Sequence, residues 1–205
     1  MKKLNIVNFL KFSFAAFFVL LFLTSCSDSD ADQMIEKVLA SEHRTPSNVN
    51  RDKFRHPKET LLFFGLSPEQ SVVEITPGFG WYAEILAPLL RDKGQYYYTS
   101  YKLHKDINPF FIKMEQKFKE KMKLNPNIYE ELRWVHFKSN QPDFVPDGPV
   151  DMVLTFRNVH NWAKAGTAES MFAGFNKALK SGGVLGLIEH RAKPATPIEQ
   201  QIKSG

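Results

Sequence analysis

Five short runs rich in β-branched or aromatic residues alternate with segments of helical periodicity, and this alternation restricts the chain to one class of fold. The runs lie at 71–76, 95–101, 133–137, 150–156 and 184–188. After the first, Trp81, Ile85, Leu86 and Leu89 recur at helical spacing. After the second, Asn108 is a suitable N-cap for a helix whose apolar face is Phe110, Phe111, Met114, Phe118 and Met122, and Asn125-Pro-Asn127 stops it. A helix over 167–180 carries Met171, Phe172, Phe175, Ala178 and Leu179, with Gly182-Gly183 as its cap. The run at 150–156 is almost continuously apolar, as a strand covered on both faces must be. Strand and helix in alternation imply a doubly wound parallel sheet in three α/β/α layers, joined by right-handed crossovers.

At 205 residues and 43% apolar composition, one core is expected. Of the 27 basic residues, Lys2, Lys3 and Lys11 precede Cys26, which leaves +2 against 22 acidic residues beyond it. No basic run is dense enough to follow a phosphate backbone, so nucleic acid is not expected as a partner. Lys113, Lys117, Lys119, Lys121 and Lys123 read as a solvated helix face. The apolar stretch over 12–23 falls short of the about 20 residues that span a membrane, and with Lys2 and Lys3 before it reads as the core of a signal peptide. Leu23-Thr-Ser-Cys26 resembles the bacterial lipobox, which implies a lipid on Cys26, a tether to the membrane and a periplasmic location in the cell envelope. Ser27 differs from the aspartate that retains some lipoproteins at the inner membrane, so the outer membrane is favoured. The expected organisation is a signal peptide over 1–25, an acidic tether and short amphipathic helix over 26–50 (Met34, Ile35, Val38, Leu39), and the main domain over 51–205. Residues 43–56 read as polar and irregular up to Pro57, which opens a helix closed by Gly65. Cys26 is the sole cysteine, and His43, His56, His104 and His136 lack paired ligand spacing, so no metal is expected.

In a sheet of order 3-2-1-4-5, ligands bind beyond the carboxyl ends of the strands where the order reverses. Residues 76–82, 157–162 and 189–190 should therefore converge. The first of these contains Glu74-Ile-Thr-Pro-Gly78-Phe-Gly80, where two glycines let backbone approach a ligand closely. The segment resembles the Glu-x-Gly-x-Gly-x-Gly turn of class I S-adenosylmethionine (SAM) methyltransferases, with Thr76 in place of the first glycine. Leu179-Lys-Ser-Gly-Gly183 is similar to that family's Leu-Lys-Pro-Gly-Gly turn, and Asp151-Met-Val-Leu opens a strand as its fourth strand does. With His56-Pro57, Phe63-Phe64-Gly65, Trp81-Tyr82, Arg157-Asn158-Val159-His160-Asn161-Trp162 and Glu189-His190-Arg191, the stretch 50–193 resembles a group of exported predicted methyltransferases. The resemblance implies a Rossmann-like fold and SAM as cofactor. Glu74, Thr76, Pro77, Gly78, Phe79, Gly80, Trp81, Ser100, Tyr101, Asn158 and Trp162 would then form the cofactor site.

His160 is the candidate base to take a proton from the methyl acceptor, a small or unidentified molecule, since an unperturbed histidine titrates at pH ~6.5. Trp162 is a candidate to stack on the cofactor or attract its sulfonium, and Glu189 is either a second base or a partner of Arg191. Two departures stand beside the resemblance. Ser100 and Tyr101 occupy the end of the second strand, where the family places an acid for the ribose hydroxyls. The sequence also ends at Gly205 without the family's closing antiparallel strands, so the fifth strand is expected at the sheet edge.

Gly78-Phe-Gly-Trp-Tyr-Ala83 also matches a dinucleotide fingerprint, but the acid it needs about 20 residues on is absent from Tyr98 to Tyr101. An NAD(P)-binding oxidoreductase is therefore the weaker enzyme reading. A third is a non-catalytic envelope lipoprotein that uses the fold as a binding module, favoured by the difficulty of moving a charged cofactor across a membrane.

Overall fold

The computed structural model describes residues 27–204, apart from 106 and 146. The signal peptide and Cys26 lie outside the described residues. Five strands, β1 (Ser71–Ile75), β2 (Gln95–Tyr101), β3 (Arg133–Phe137), β4 (Val150–Phe156) and β5 (Leu179–Ile188), form one sheet in the order β3-β2-β1-β4-β5. Every pairing is parallel: Val72 sits opposite both Tyr96 and Met152, Tyr98 opposite Trp134, and Leu154 opposite Gly186. The expected Rossmann-like, doubly wound sheet is the observed one.

Alternate residues of each strand feed opposite cores, which is why the central strands are apolar on both sides. One face sends Val72, Tyr96, Tyr98, Met152 and Leu154 into a core closed by α5 (Ala83–Leu90) and by Phe118 of α6 (Pro109–Leu124). The other sends Val73, Ile75, Val135 and Val153 against α8 (Val159–Lys164) and α9 (Ala168–Ala178), where Trp162 and Phe175 fill the gap. Asn108 caps α6 as its side chain accepts from the Phe110 N–H at 2.9 Å. β5 is at the sheet edge, and α10 (Ile198–Ser204) follows it.

The N-terminal region differs from its expected form. Residues 27–32 are not an extended tether but the first turns of α1 (Ser27–Leu39), whose Ile35 is buried in the first core. The polar stretch 43–56 holds two helical turns, α2 (Pro46–Val49) and α3 (Asp52–Arg55), before α4 (Pro57–Phe63). Buried Glu84 of α5 ties this stretch down: its carboxylate accepts from the Thr45 hydroxyl at 2.6 Å and from Lys121, and its carbonyl lies 2.7 Å from His43 Nε2. Local polarity hid an anchor that comes from a distant helix.

A second difference concerns the last crossover. The helix stops at Ala178, two residues early, because Leu179 is extended and pairs with Val150. Gly182, at φ +78°, therefore lies in an irregular start of β5, where the register slips between Val150 and Met152, rather than capping the helix. Lys180 fixes the slip by donating to Asp151 at 2.7 Å. Among the described residues no helix is long and apolar enough to cross a membrane. The short turn α7 (Pro126–Tyr129) completes the set.

Candidate functional site

The three exits expected to converge are hydrogen-bonded to one another. The Asn158 side-chain amide donates to the Ile75 carbonyl at 3.0 Å and to Thr155 Oγ1 at 3.1 Å, joining the exit of β4 to that of β1. Glu189, just past β5, accepts from the Val159 N–H at 2.9 Å and the His160 N–H at 3.4 Å. A carboxylate there satisfies the first open N–H groups of α8. Burial opposes its ionisation, but bonds from the His190 N–H and from His160 outweigh it and hold the carboxyl below its usual range. Thr76 and Arg157, the residues immediately after β1 and β4, both adopt positive φ, at +47° and +62°. Backbone strain is thus concentrated at the point where the strand order reverses.

The glycine turn hangs from β2. Thr99 Oγ1 accepts from the Thr76 N–H and donates to the Glu74 carbonyl, each at 3.0 Å, while the Tyr98 hydroxyl donates to the Gly78 carbonyl at 2.7 Å. The Gly80 N–H returns to the Pro77 carbonyl at 3.2 Å. Gly80 has φ +77°, and a β-carbon there would lie 2.3 Å from the Phe118 ring, so both conformation and space demand glycine. A β-carbon on Gly78 would meet nothing within 4 Å, so that side of the turn lies open. Glu74 is buried beneath, accepting from the Tyr96 hydroxyl at 2.6 Å; burial pushes its carboxyl up to about 8 against the opposing effects of Tyr96 and the Arg55 charge.

One hollow adjoins this turn on the β2 side, and a larger one lies beyond it at the strand exits. A narrow crevice of about 20 Å³ is bounded by Thr76, Gly78, Ser100, Phe111, Met114 and Glu115. Tyr101 and Phe111 form a wall shared with a cavity of about 880 Å³, which extends past the exits of β2 and β3 to Asn161 and Trp162. That volume is within the range of small-molecule sites. It can receive a nucleoside, whereas the crevice beside Gly78 admits an amino-acid end only if Phe111 and Met114 swing aside.

The sequence-derived residues divide between these hollows and their supports. Tyr101 lines both, its hydroxyl 3.2 Å from the Trp162 indole N–H that it accepts. Trp162 is almost wholly buried in the second core beside Phe175, with its edge at the cavity. Ser100 donates to Glu115 at 3.1 Å and accepts from the Trp134 indole N–H at 2.8 Å. Phe79 is half exposed, edge-on to Phe110. Trp81 points away, its indole N–H donating to the Asn48 carbonyl at 3.0 Å. His160 lines neither hollow: its Nδ1 lies 3.1 Å from the Glu189 carboxylate, off the line that a hydrogen bond needs, so the pair attracts as ions only once the imidazole is protonated. Glu189 thus meets His160 and the α8 backbone rather than Arg191. Among the described residues no group of three His, Cys, Asp or Glu side chains could hold a metal ion.

Sequence reasoning missed Glu115. Its carboxylate is 5% exposed and lies at the end of β2, bonded by Ser100, by Lys119 at 2.6 Å and by His136 at 3.3 Å. Burial opposes its ionisation, yet these three partners together hold it below the ordinary carboxylate range. A Glu four residues before a Lys reads as a solvated helix pair, and nothing local betrays the strand end behind it.

Among solved structures the chain is similar to a SAM-dependent methyltransferase from Aquifex aeolicus, at 20% identity and TM-score 0.55, over 82% of this chain and 79% of that one. It is also similar to an rRNA-methylase candidate from Clostridium thermocellum, at 16% identity and TM-score 0.52, over 73% and 75%. It spans only half the length of the glycopeptide N-methyltransferase MtfA, at 14% identity and TM-score 0.47, a likeness too distant to carry weight. At these identities a shared fold is what the likenesses establish. No protein-family profile matches the sequence, and no curated protein sequence does.

Proposed function

We propose that the chain is a SAM-dependent methyltransferase acting on a small acceptor. The observation that carries this reading is the 880 Å³ cavity sharing a wall with the crevice beside an open, positive-φ Gly78, at the carboxyl edge of a sheet of this order. Bound there, SAM would supply an electrophilic methyl group. The protein's part is alignment and removal of water around the reacting atoms. Glu115 provides from α6 the carboxylate that β2 lacks, within reach of a ribose diol beside Ser100. Asn161 and the Trp162 edge close the far side, and His160 accepts the acceptor's proton with Glu189 stabilising the imidazolium.

A thermal-shift titration of the purified chain with SAM, S-adenosylhomocysteine and NAD tests the reading. SAM or its demethylated product at 100 times its dissociation constant should stabilise by about 2.7 kcal/mol. His160→Ala should leave that shift intact and lower turnover. The narrow 20 Å³ crevice favours one rival, a non-catalytic binding module. A folded chain that ignores both SAM and S-adenosylhomocysteine would overturn the methyltransferase reading and leave that rival.

The same proposal places the domain on the periplasmic side of the envelope, held by a lipid on Cys26, most simply at the outer membrane. Support comes from the Leu-Thr-Ser-Cys26 motif after a signal-length apolar stretch. Palmitate labelling of the natural chain but not of Cys26→Ala is the expected result.

A further inference from the structure

A separate hollow of about 320 Å³ opens on the other flank of the β4 exit, between α3 and the ends of β4 and β5. Arg51, Arg55, Arg157 and His190 line it, over a floor made by Tyr82 and Phe156, whose rings stack 3.7 Å apart at 15°. Three guanidinium groups around one small space repel one another, and an anion bound among them would offset that repulsion. The nearby acids do not supply that charge. Asp52 is held in a two-pronged pair by Arg44, with Nη2 to Oδ1 at 2.9 Å. Glu74 is turned to the Tyr96 hydroxyl at 2.6 Å, and burial, which pushes its carboxyl up to about 8, disfavours its charge. Among the described residues no ion pair reaches Arg51, Arg55 or Arg157.

The groups are also held in place. Arg55 lies over the Trp81 ring, 4.5 Å from its centroid, and Trp81 is itself bonded to Asn48. Arg157 keeps its positive φ because its N–H donates to the Ile188 carbonyl at 2.8 Å, and its Nε donates to His190 Nε2 at 2.6 Å. Burial, then the charges of Arg51 and Arg157, hold the Arg55 guanidinium below its ordinary range, against the opposing influence of Tyr82 and Glu74. Guanidinium forks without a carboxylate partner match the oxygens of a carboxylate or phosphate.

We propose that this hollow binds a small organic anion, its carboxylate or phosphate held by Arg51, Arg55 and Arg157 and its apolar part laid on Tyr82 and Phe156. The role of that anion rests on the methyltransferase reading. Asn161 and Trp162, next to His160, line the large cavity, while His190, with its ring 6.3 Å from that of His160, lines the arginine hollow. An anion held there lies on the opposite flank of the β4 exit from the nucleoside cavity, and one long enough to pass His160 would bring its far end to that cavity as the methyl acceptor.

Calorimetric titration of the purified full chain with phenyl phosphate, phenylacetate and inorganic phosphate, without SAM, tests the site. Saturable binding of one aryl anion is expected, with the stronger of the two naming the acidic group, and inorganic phosphate binding more weakly. Arg51→Gln and Arg157→Gln, at exposed side chains, should each weaken it tenfold or more while leaving the melting temperature unchanged. No saturable binding by any of the three probes, or equal affinity in the natural chain and both variants, overturns the proposal. SAM titrated into the natural chain separates the two readings: anion binding by a chain that fails to bind SAM removes the acceptor role and leaves the anion site standing.

Discussion

Asn158 reaches across the switch in strand order to bond the carbonyl of Ile75, the last residue of β1, at 3.0 Å. One side chain thereby sets the spacing between the glycine turn and α8. Asn158→Ala leaves a part-buried carbonyl without its donor, so it should destabilise the fold by about 1–2 kcal/mol in urea titration. It should also weaken SAM binding more than Asn161→Ala does, because the turn itself is displaced.

The two glycines of the turn should respond differently to one added methyl group. Gly78→Ala meets no neighbour and bears only the strain of φ +68°, about 1 kcal/mol. Gly80→Ala adds a contact at 2.3 Å with the Phe118 ring, inside a close-packed core, and should lose at least twice as much. Urea midpoints of the two variants, measured side by side, check the order.

Glu74 gives the fold a pH dependence of its own. Its carboxyl titrates at about 8 when folded and near the ordinary carboxylate value when unfolded, so between those limits the folded state holds the extra proton. Stability from this group is complete at pH 4 and falls as pH rises through 8, by a few kcal/mol at most. Glu74→Gln keeps an acceptor for Tyr96 and removes the titration. Unfolding free energies at pH 5, 6.5 and 8 should decline more in the natural chain than in the variant.

Glu115 is expected to act on the cofactor rather than on the fold. Glu115→Gln preserves partners for Ser100 and Lys119 with no charge, and should weaken SAM binding about tenfold, the effect of losing a charged hydrogen bond. Equal SAM dissociation constants in the two proteins would remove its assigned role.

The sheet was legible because its signal is local: strands over 95–101, 133–137 and 150–156 have the bounds that β-branched and aromatic runs suggest. The start of β5 was not, since Leu179 looks helical until Val150 offers it a ladder. The glycine turn was equally plain, and the meeting of Asn158 with the end of β1 and of Glu189 with α8 follows from topology alone. The supporting groups were hidden for a different reason. Glu115, Arg51 and Arg55 look like surface charges on polar helices, and only the packing of α6 and α3 against the strand ends gives them a site. His160 shows the limit of topology: the strand order places it just past β4, but it lines neither hollow and its ring lies beside Glu189, 29 residues away in a different exit loop.

The Phe118 ring lies flat on Tyr98, at 4.2 Å and 7°, and directly against the bare face of Gly80. One and two turns earlier, the same helix sends Met114 and Phe111 into the narrow crevice. Door and hinge are therefore a single rigid rod. A slide of α6 that widened the entrance would in the same motion draw the Phe118 ring off the bend beneath it, so admission of a guest would be coupled to a loosening of its cradle.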